Sequence, residues 1–152
     1  MIHYKKHQYG IFLSALLLII AVCVFFAGWF QIGNKPAPLT PTIVIAVVLV
    51  ITFVIFHKLT ITIDATKIQA TFGLGLIKQT MLLKDIDFNS IELIKVPFLY
   101  GIGIRLTPEG TLYNVKLGSA IKIKSSTKSK TFFVGTDDFE TIKRTLNTLN
   151  KH

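Results

Sequence analysis

The stretch Phe56-His57-Lys58-Leu59-Thr60-Ile61-Thr62-Ile63-Asp64 marks a change of regime in the chain. Leu59, Ile61 and Ile63 alternate with Thr60, Thr62 and Asp64, the pattern of a strand with one face in a core. Just upstream, residues 39–56 carry no charge and are dense in Val and Ile. Val and Ile favour strands in water, but eighteen residues far exceed a usual strand, and a lone strand cannot satisfy its backbone in lipid. The upstream run therefore reads as a membrane helix, with Pro41 in its first turn, where a missing N–H costs nothing. The downstream run opens a β domain.

Further upstream, residues 11–30 form a second uncharged run in which Ser14 is the one overtly polar side chain. Twenty residues at about 1.5 Å each cover one hydrocarbon core. The run is too long for the apolar region of a cleaved signal peptide and ends Ala27-Gly28-Trp29-Phe30, unlike a cleavage site. Cys23 follows Val22, which is bulky where lipid attachment wants a small residue, so it reads as a small apolar side chain. Residues 31–40 contain Gly33, Pro36 and Pro38 and form a turn.

The expectation is a transmembrane hairpin in residues 1–57, with spans at about 11–30 and 39–56. Lys5, Lys6, His3 and His7 precede the first span, His57 and Lys58 follow the second, and the connection carries Lys35. The positive-inside rule then places both termini in the cytoplasm, with Tyr4 and Tyr9 at the inner interface and Trp29 at the outer one.

Composition agrees with this division. The 152 residues are 51% hydrophobic and 16% charged, with net charge +9 and mean hydropathy +0.56. Such apolar content excludes a disordered chain, and one cysteine excludes a disulfide scaffold.

Downstream of Asp64, alternation resumes at Ile68, Ala70 and Phe72, and strand-like runs follow at 77–83, 90–96, 102–107, 111–115, 120–124 and 131–134. Asp64-Ala65-Thr66, Gly73-Leu74-Gly75, Pro108-Glu109-Gly110 and residues 125–129 supply the turns. The period then changes again. Phe139, Ile142, Leu146 and Leu149 share one face of a helix over 137–150, with Asp137 and Glu140 as a capping box and Thr136 as the competing cap. The fold class expected is a membrane-anchored α+β protein: a two-helix hairpin, then in 58–152 a small β barrel or sandwich of seven or eight strands, capped by one C-terminal helix.

Three segments, Tyr100-Gly101-Ile102-Gly103-Ile104-Arg105, Leu112-Tyr113-Asn114-Val115 and Val134-Gly135-Thr136-Asp137-Asp138, carry a family resemblance. Placed on a membrane hairpin, they resemble the bacterial pleckstrin-homology-like (PH-like) domain family of small membrane proteins. The resemblance implies a membrane-tethered scaffold or interaction domain without assigned chemistry. It does not carry over a phosphoinositide site, since the first hairpin offers only Asp64-Ala65-Thr66-Lys67.

No catalytic constellation emerges from the residues. His3, His7, His57 and His152 lie at chain ends or the membrane boundary, and Cys23 lies within a span, so neither a Cys/His nucleophile nor a zinc site is expected. Asp85, Asp87 and Glu92 read as a solvated turn. The two Gly-x-Gly pairs are too short for a dinucleotide fingerprint, and no cofactor is expected.

Two surfaces remain as candidates. Lys116, Lys122, Lys124, Lys128 and Lys130 fall in an acid-free stretch and could face anionic lipid, although a solvated sheet face explains them as well. They are not interleaved with aromatics, so nucleic acid is not expected. Phe98, Leu99 and Tyr100 follow Pro97 in a loop that could dock a protein or touch the membrane, or fill the core. The function expected is non-enzymatic: an integral membrane protein presenting its domain to a protein partner or to copies of itself. Recognition of anionic headgroups by the lysines is the alternative.

Overall fold

The computed structural model describes residues 2–33, 38–127 and 130–150. Two long apolar helices, α1 (Ile11–Trp29) and α2 (Leu39–Phe56), lie side by side. They meet closely where Gly28 leaves no room for a side chain against Thr42. Lys35 lies outside the described residues. Both helices are long and apolar enough to cross a membrane.

The remainder is two sheets and a helix, an α+β arrangement. The first sheet has the order β1-β2-β3-β4, from β1 (Ile2–Tyr9), β2 (Lys58–Asp64), β3 (Lys67–Phe72) and β4 (Ile77–Leu82). The second has the order β5-β8-β9-β7-β6, from β5 (Glu92–Lys95), β6 (Gly103–Thr107), β7 (Gly110–Asn114), β8 (Ser119–Lys124) and β9 (Thr131–Gly135). Neighbouring strands are antiparallel except β7 and β9, which run parallel. Helix α3 (Phe139–Leu149) closes the core: Ile142 and Leu146 are fully buried, and Phe139 and Leu149 pack against the same cluster. Leu59, Ile61, Ile63, Ile68 and Phe72 from the first sheet meet Ile121, Ile123, Phe132 and Val134 from the second.

Strand β1 has no counterpart in the sequence reading, which treated residues 2–9 as a flank of the first span. It pairs with β2 from Ile2↔Asp64 to Tyr9↔Lys58. Its inward residues are Tyr4, Lys6 and Gln8, so no apolar alternation advertises it. They are held by specific polar partners. The Tyr4 hydroxyl donates to Asp138 Oδ2 at 2.9 Å, Lys6 Nζ lies 3.1 Å from the same atom, and Gln8 Nε2 donates to the Gly135 carbonyl at 2.8 Å. Tyr4 thus packs against the domain core, and His3 and His7 stand on the outer side of a folded strand.

The helix start also differs from the expected capping box. Asp138 is the N-cap residue, but its side chain makes no bond to the helix backbone. It accepts instead from Thr141 Oγ1 and Tyr4 and pairs with Lys6. Asp137 pairs with Lys116, and Thr136 Oγ1 accepts from the Asp138 N–H at 3.1 Å. Long-range partners in β1 outcompete the local cap.

Only Gly10 separates β1 from α1, and only His57 separates α2 from β2; the Gly10 N–H donates to the His57 carbonyl at 3.0 Å. The β ladder therefore continues to the root of the helical hairpin. Phe56, the last residue of α2, packs edge-on against Phe72 with ring centroids 5.2 Å apart. Helices and domain share side-chain contacts with no flexible linker between them.

Candidate functional site

The five lysines do not form one open face. On β8, Ile121 and Ile123 enter the core, while Lys122 points to the outer side of the second sheet. There Lys122 is almost fully buried, with its ammonium 2.8 Å from Glu109 and 3.5 Å from Glu92. The hydrogen bond to Glu109 holds its pKa above the ordinary lysine value, against the opposing effect of burial. Lys116 is paired with Asp137. Lys124 and Lys130 are exposed, and Lys128 lies outside the described residues.

The apolar loop divides in two. Tyr100 is half-buried and joins Ile94, Val96, Leu112, Ala120 and Phe133 in a small second cluster on the outer side of the five-stranded sheet. Its carbonyl accepts from Arg105 Nε at 2.9 Å. Phe98 and Leu99, in a single 3-10 turn, are 80% and 93% exposed. An exposed pair of this size is not needed by the core.

A feature invisible in the sequence is a groove of 730 Å³ where the two sheets part along β4. Residues 78–82 form one wall, and Thr107, Glu109, Thr111, Lys130 and Thr131 contribute to the other. Strand β4 ends the first sheet, so among the described residues no strand pairs with its outer edge. Gln79 crosses beneath the groove: its Nε2 donates to the Thr131 carbonyl at 3.0 Å, and its Oε1 accepts from the Phe133 N–H at 3.3 Å. This clip holds the sheets at a fixed separation and leaves Lys78, Thr80 and Leu82 facing solvent. A periodicity argument finds β4 but cannot show which side of it remains open.

The cluster joining β1 to α3 is electrostatically tuned. The Asp138 carboxyl titrates below the usual carboxylate range, first because of its bond from Thr141 and then through Lys6 and Tyr4. Burial, aided by the adjacent carboxylate, pushes the Tyr4 phenol well above its ordinary value. Asp64 is lowered by its bonds from the Thr66 side chain and backbone in a tight turn. These groups fasten elements together, and of them Asp138 also borders a small pocket with Leu93, Ser119 and Phe139. Among the described residues, no group of three or more His, Cys, Asp or Glu is placed to hold a metal ion.

No family model matches the chain, and comparisons with curated proteins and with solved structures likewise yield no match.

Proposed function

We propose that this chain is a non-enzymatic integral membrane protein of the bacterial inner membrane. Its PH-like domain is held on the cytoplasmic side and offers the open edge of β4 to an extended segment of a protein partner or of a second copy. The observation that carries this reading is the direct passage of β1 into α1 and of α2 into β2. A hairpin inserted between two paired strands anchors the domain rigidly, which suits a display platform better than a mobile tether. Two sheets closed by a C-terminal helix support the PH-like reading, and the lysines flanking the hairpin support the cytoplasmic placement.

The groove supports the docking mode. A free strand edge offers a row of main-chain donors and acceptors, and an added strand gains affinity from them. Of the lysines considered for headgroup binding, Lys122 and Lys116 are engaged by carboxylates, which favours a protein partner over lipid recognition by that face. A photo-crosslinking amino acid at Thr80, on the groove, should give a discrete adduct in intact cells, while the same group at Lys95, on β5, should not. An adduct of twice the chain mass identifies a second copy, and any other discrete mass a distinct partner. No adduct at Thr80, or equal adducts at both positions, would overturn the groove as the docking site.

A further inference from the structure

The connections between strands divide into two sets. At the end of the domain where the helices leave are 73–76 between β3 and β4, 96–102 between β5 and β6, and 115–118 between β7 and β8. Contacts place them there. A side chain on Gly73 would lie 2.5 Å from the carbonyl oxygens of both Val54 and Ile55, and one on Gly10 would lie 2.7 Å from the Val115 carbonyl. The Val96 N–H donates to the Gly118 carbonyl at 2.9 Å, and Asn114 Nδ2 donates to the Gly101 carbonyl at 3.2 Å, so the 96–102 loop borders 115–118.

Charge and exposure set these three connections apart. The first two of these connections contain no charged residue, and none of the three contains an acid. Leu74 and Leu76 are 76% and 74% exposed, matching Phe98 and Leu99. At the opposite end, the turns carry Asp64, Asp85, Asp87 and Glu109, while at the helix end Asp137 and Asp138 of the β9–α3 connection are paired with Lys116 and Lys6. Leu106, 89% exposed, stands at the far end beside the 108–110 turn, so what marks the rim is four strongly exposed apolar side chains in charge-free connections at the root of two apolar helices. Exposed apolar surface of this kind marks an interaction site.

We infer that this rim rests in the same leaflet that the helices cross, with Leu74, Leu76, Phe98 and Leu99 immersed at the boundary of headgroups and acyl chains. The inference rests on the reading that α1 and α2 span a bilayer. The 73–76 turn touches α2 at Val54 and Ile55, within its last turn, so its leucines extend the lipid-facing surface of the helix sideways. The rim fixes the tilt of the domain. Glu109, Lys130 and Thr131 then line a groove opening toward the end away from the lipid.

Depth measurements on the full chain test this. In a Cys23→Ser background, single cysteines at Leu74, Leu99, Ala65 and Val47 would carry an environment-sensitive fluorophore. The protein would be reconstituted in phosphatidylcholine–phosphatidylglycerol vesicles. Ala65 lies at the far end of β2, about 20 Å from the helices at roughly 3.3 Å per residue, and Val47 lies mid-way along α2. Lipids bearing a nitroxide on the acyl chain should quench the labels at 74 and 99 several-fold more than at 65, and aqueous iodide should show the reverse order. If 74 and 99 behave like 65 while 47 is quenched by the lipid, the rim is not immersed although the hairpin spans. If 47 itself escapes the lipid quencher, the spanning reading fails and the rim proposal falls with it.

Discussion

Lys122 shows how a single residue changes meaning between sequence and structure. In an alternating strand it shares a face with Lys124, and the pattern alone suggests a row of free cations. In the fold its stem lies against the second sheet, and its ammonium meets Glu109 and Glu92. A largely buried charge is costly to leave alone and adds little once paired. Lys122→Met should therefore change stability by no more than about 1 kcal/mol. Glu92→Gln combined with Glu109→Gln should cost about 1–3 kcal/mol by leaving the ammonium without a counter-charge; chemical denaturation of the two variants checks the order. The Asp138 cluster makes a second prediction, through pH. Its folded pKa is depressed, so its contribution is present above the unfolded value of about 3.9 and is lost as pH falls through the folded one. Asp138→Asn should lie about 1–2 kcal/mol below the parent at neutral pH, and the gap should close in acid. Tyr4 has the opposite sign. With its folded pKa raised, its contribution is complete below about pH 10 and is lost above it, so Tyr4→Phe should flatten the alkaline fall in stability.

At the scale of elements, α3 and β1 are the informative pair. Ile142 and Leu146 are fully buried, and truncating such a side chain costs about 2–5 kcal/mol. Ile142→Ala and Leu146→Ala should each lower the melting temperature clearly. Arg144→Ala and Asn147→Ala, on the exposed face, should stay within about 0.5 kcal/mol of the parent; equal melting of all four would remove α3 from the core. Strand β1 allows a constructive test. Tyr9 and Lys58 are paired, with only Gly10 and His57 between them and the helices. Replacing residues 10–57 with Asn-Gly, a favoured hairpin turn, should yield a water-soluble domain that melts well above a fragment beginning at Lys58. Equal melting would mean that β1 contributes nothing. These two elements also explain what was legible in the sequence. Helix α3 and most of strands β2 to β9 announce themselves because apolar residues at period 3.6 or 2 face the main core, with Ile94 of β5 instead joining the smaller outer cluster. Strand β1 does not, because the partners of Tyr4, Lys6 and Gln8 Nε2 are Asp138 and Gly135, residues more than a hundred positions away. The site was less legible for the same reason: Phe98 and Leu99 stood out as an apolar loop, but the groove depends on where two sheets diverge, and the partners of Lys122 depend on strand order.

For the whole molecule, the pairing of β1 with β2 couples topology to fold. If α1 and α2 cross a bilayer, residues 2–9 and the domain must lie on one side, since the ladder, irregular only between Ile2 and Tyr4, runs on to Gly10 and His57. The side itself is set by charge. Lys5, Lys6 and Lys58 border the helices at the domain end, and Lys35 is the lone lysine of the connection, so the lysine bias is what the proposed cytoplasmic placement of the domain rests on. Single cysteines at Gly33, Pro108 and His3 in a Cys23→Ser background separate the two statements. A membrane-impermeant thiol reagent applied to intact cells should label position 33, and should reach 108 and 3 only after permeabilisation. The inverse pattern, with 108 and 3 labelled and 33 protected, would reverse the orientation but keep the architecture. Labelling of 3 without 108 would break the architecture itself, because no arrangement that keeps Tyr9 against Lys58 and packs the two sheets on a shared core can place them in different compartments.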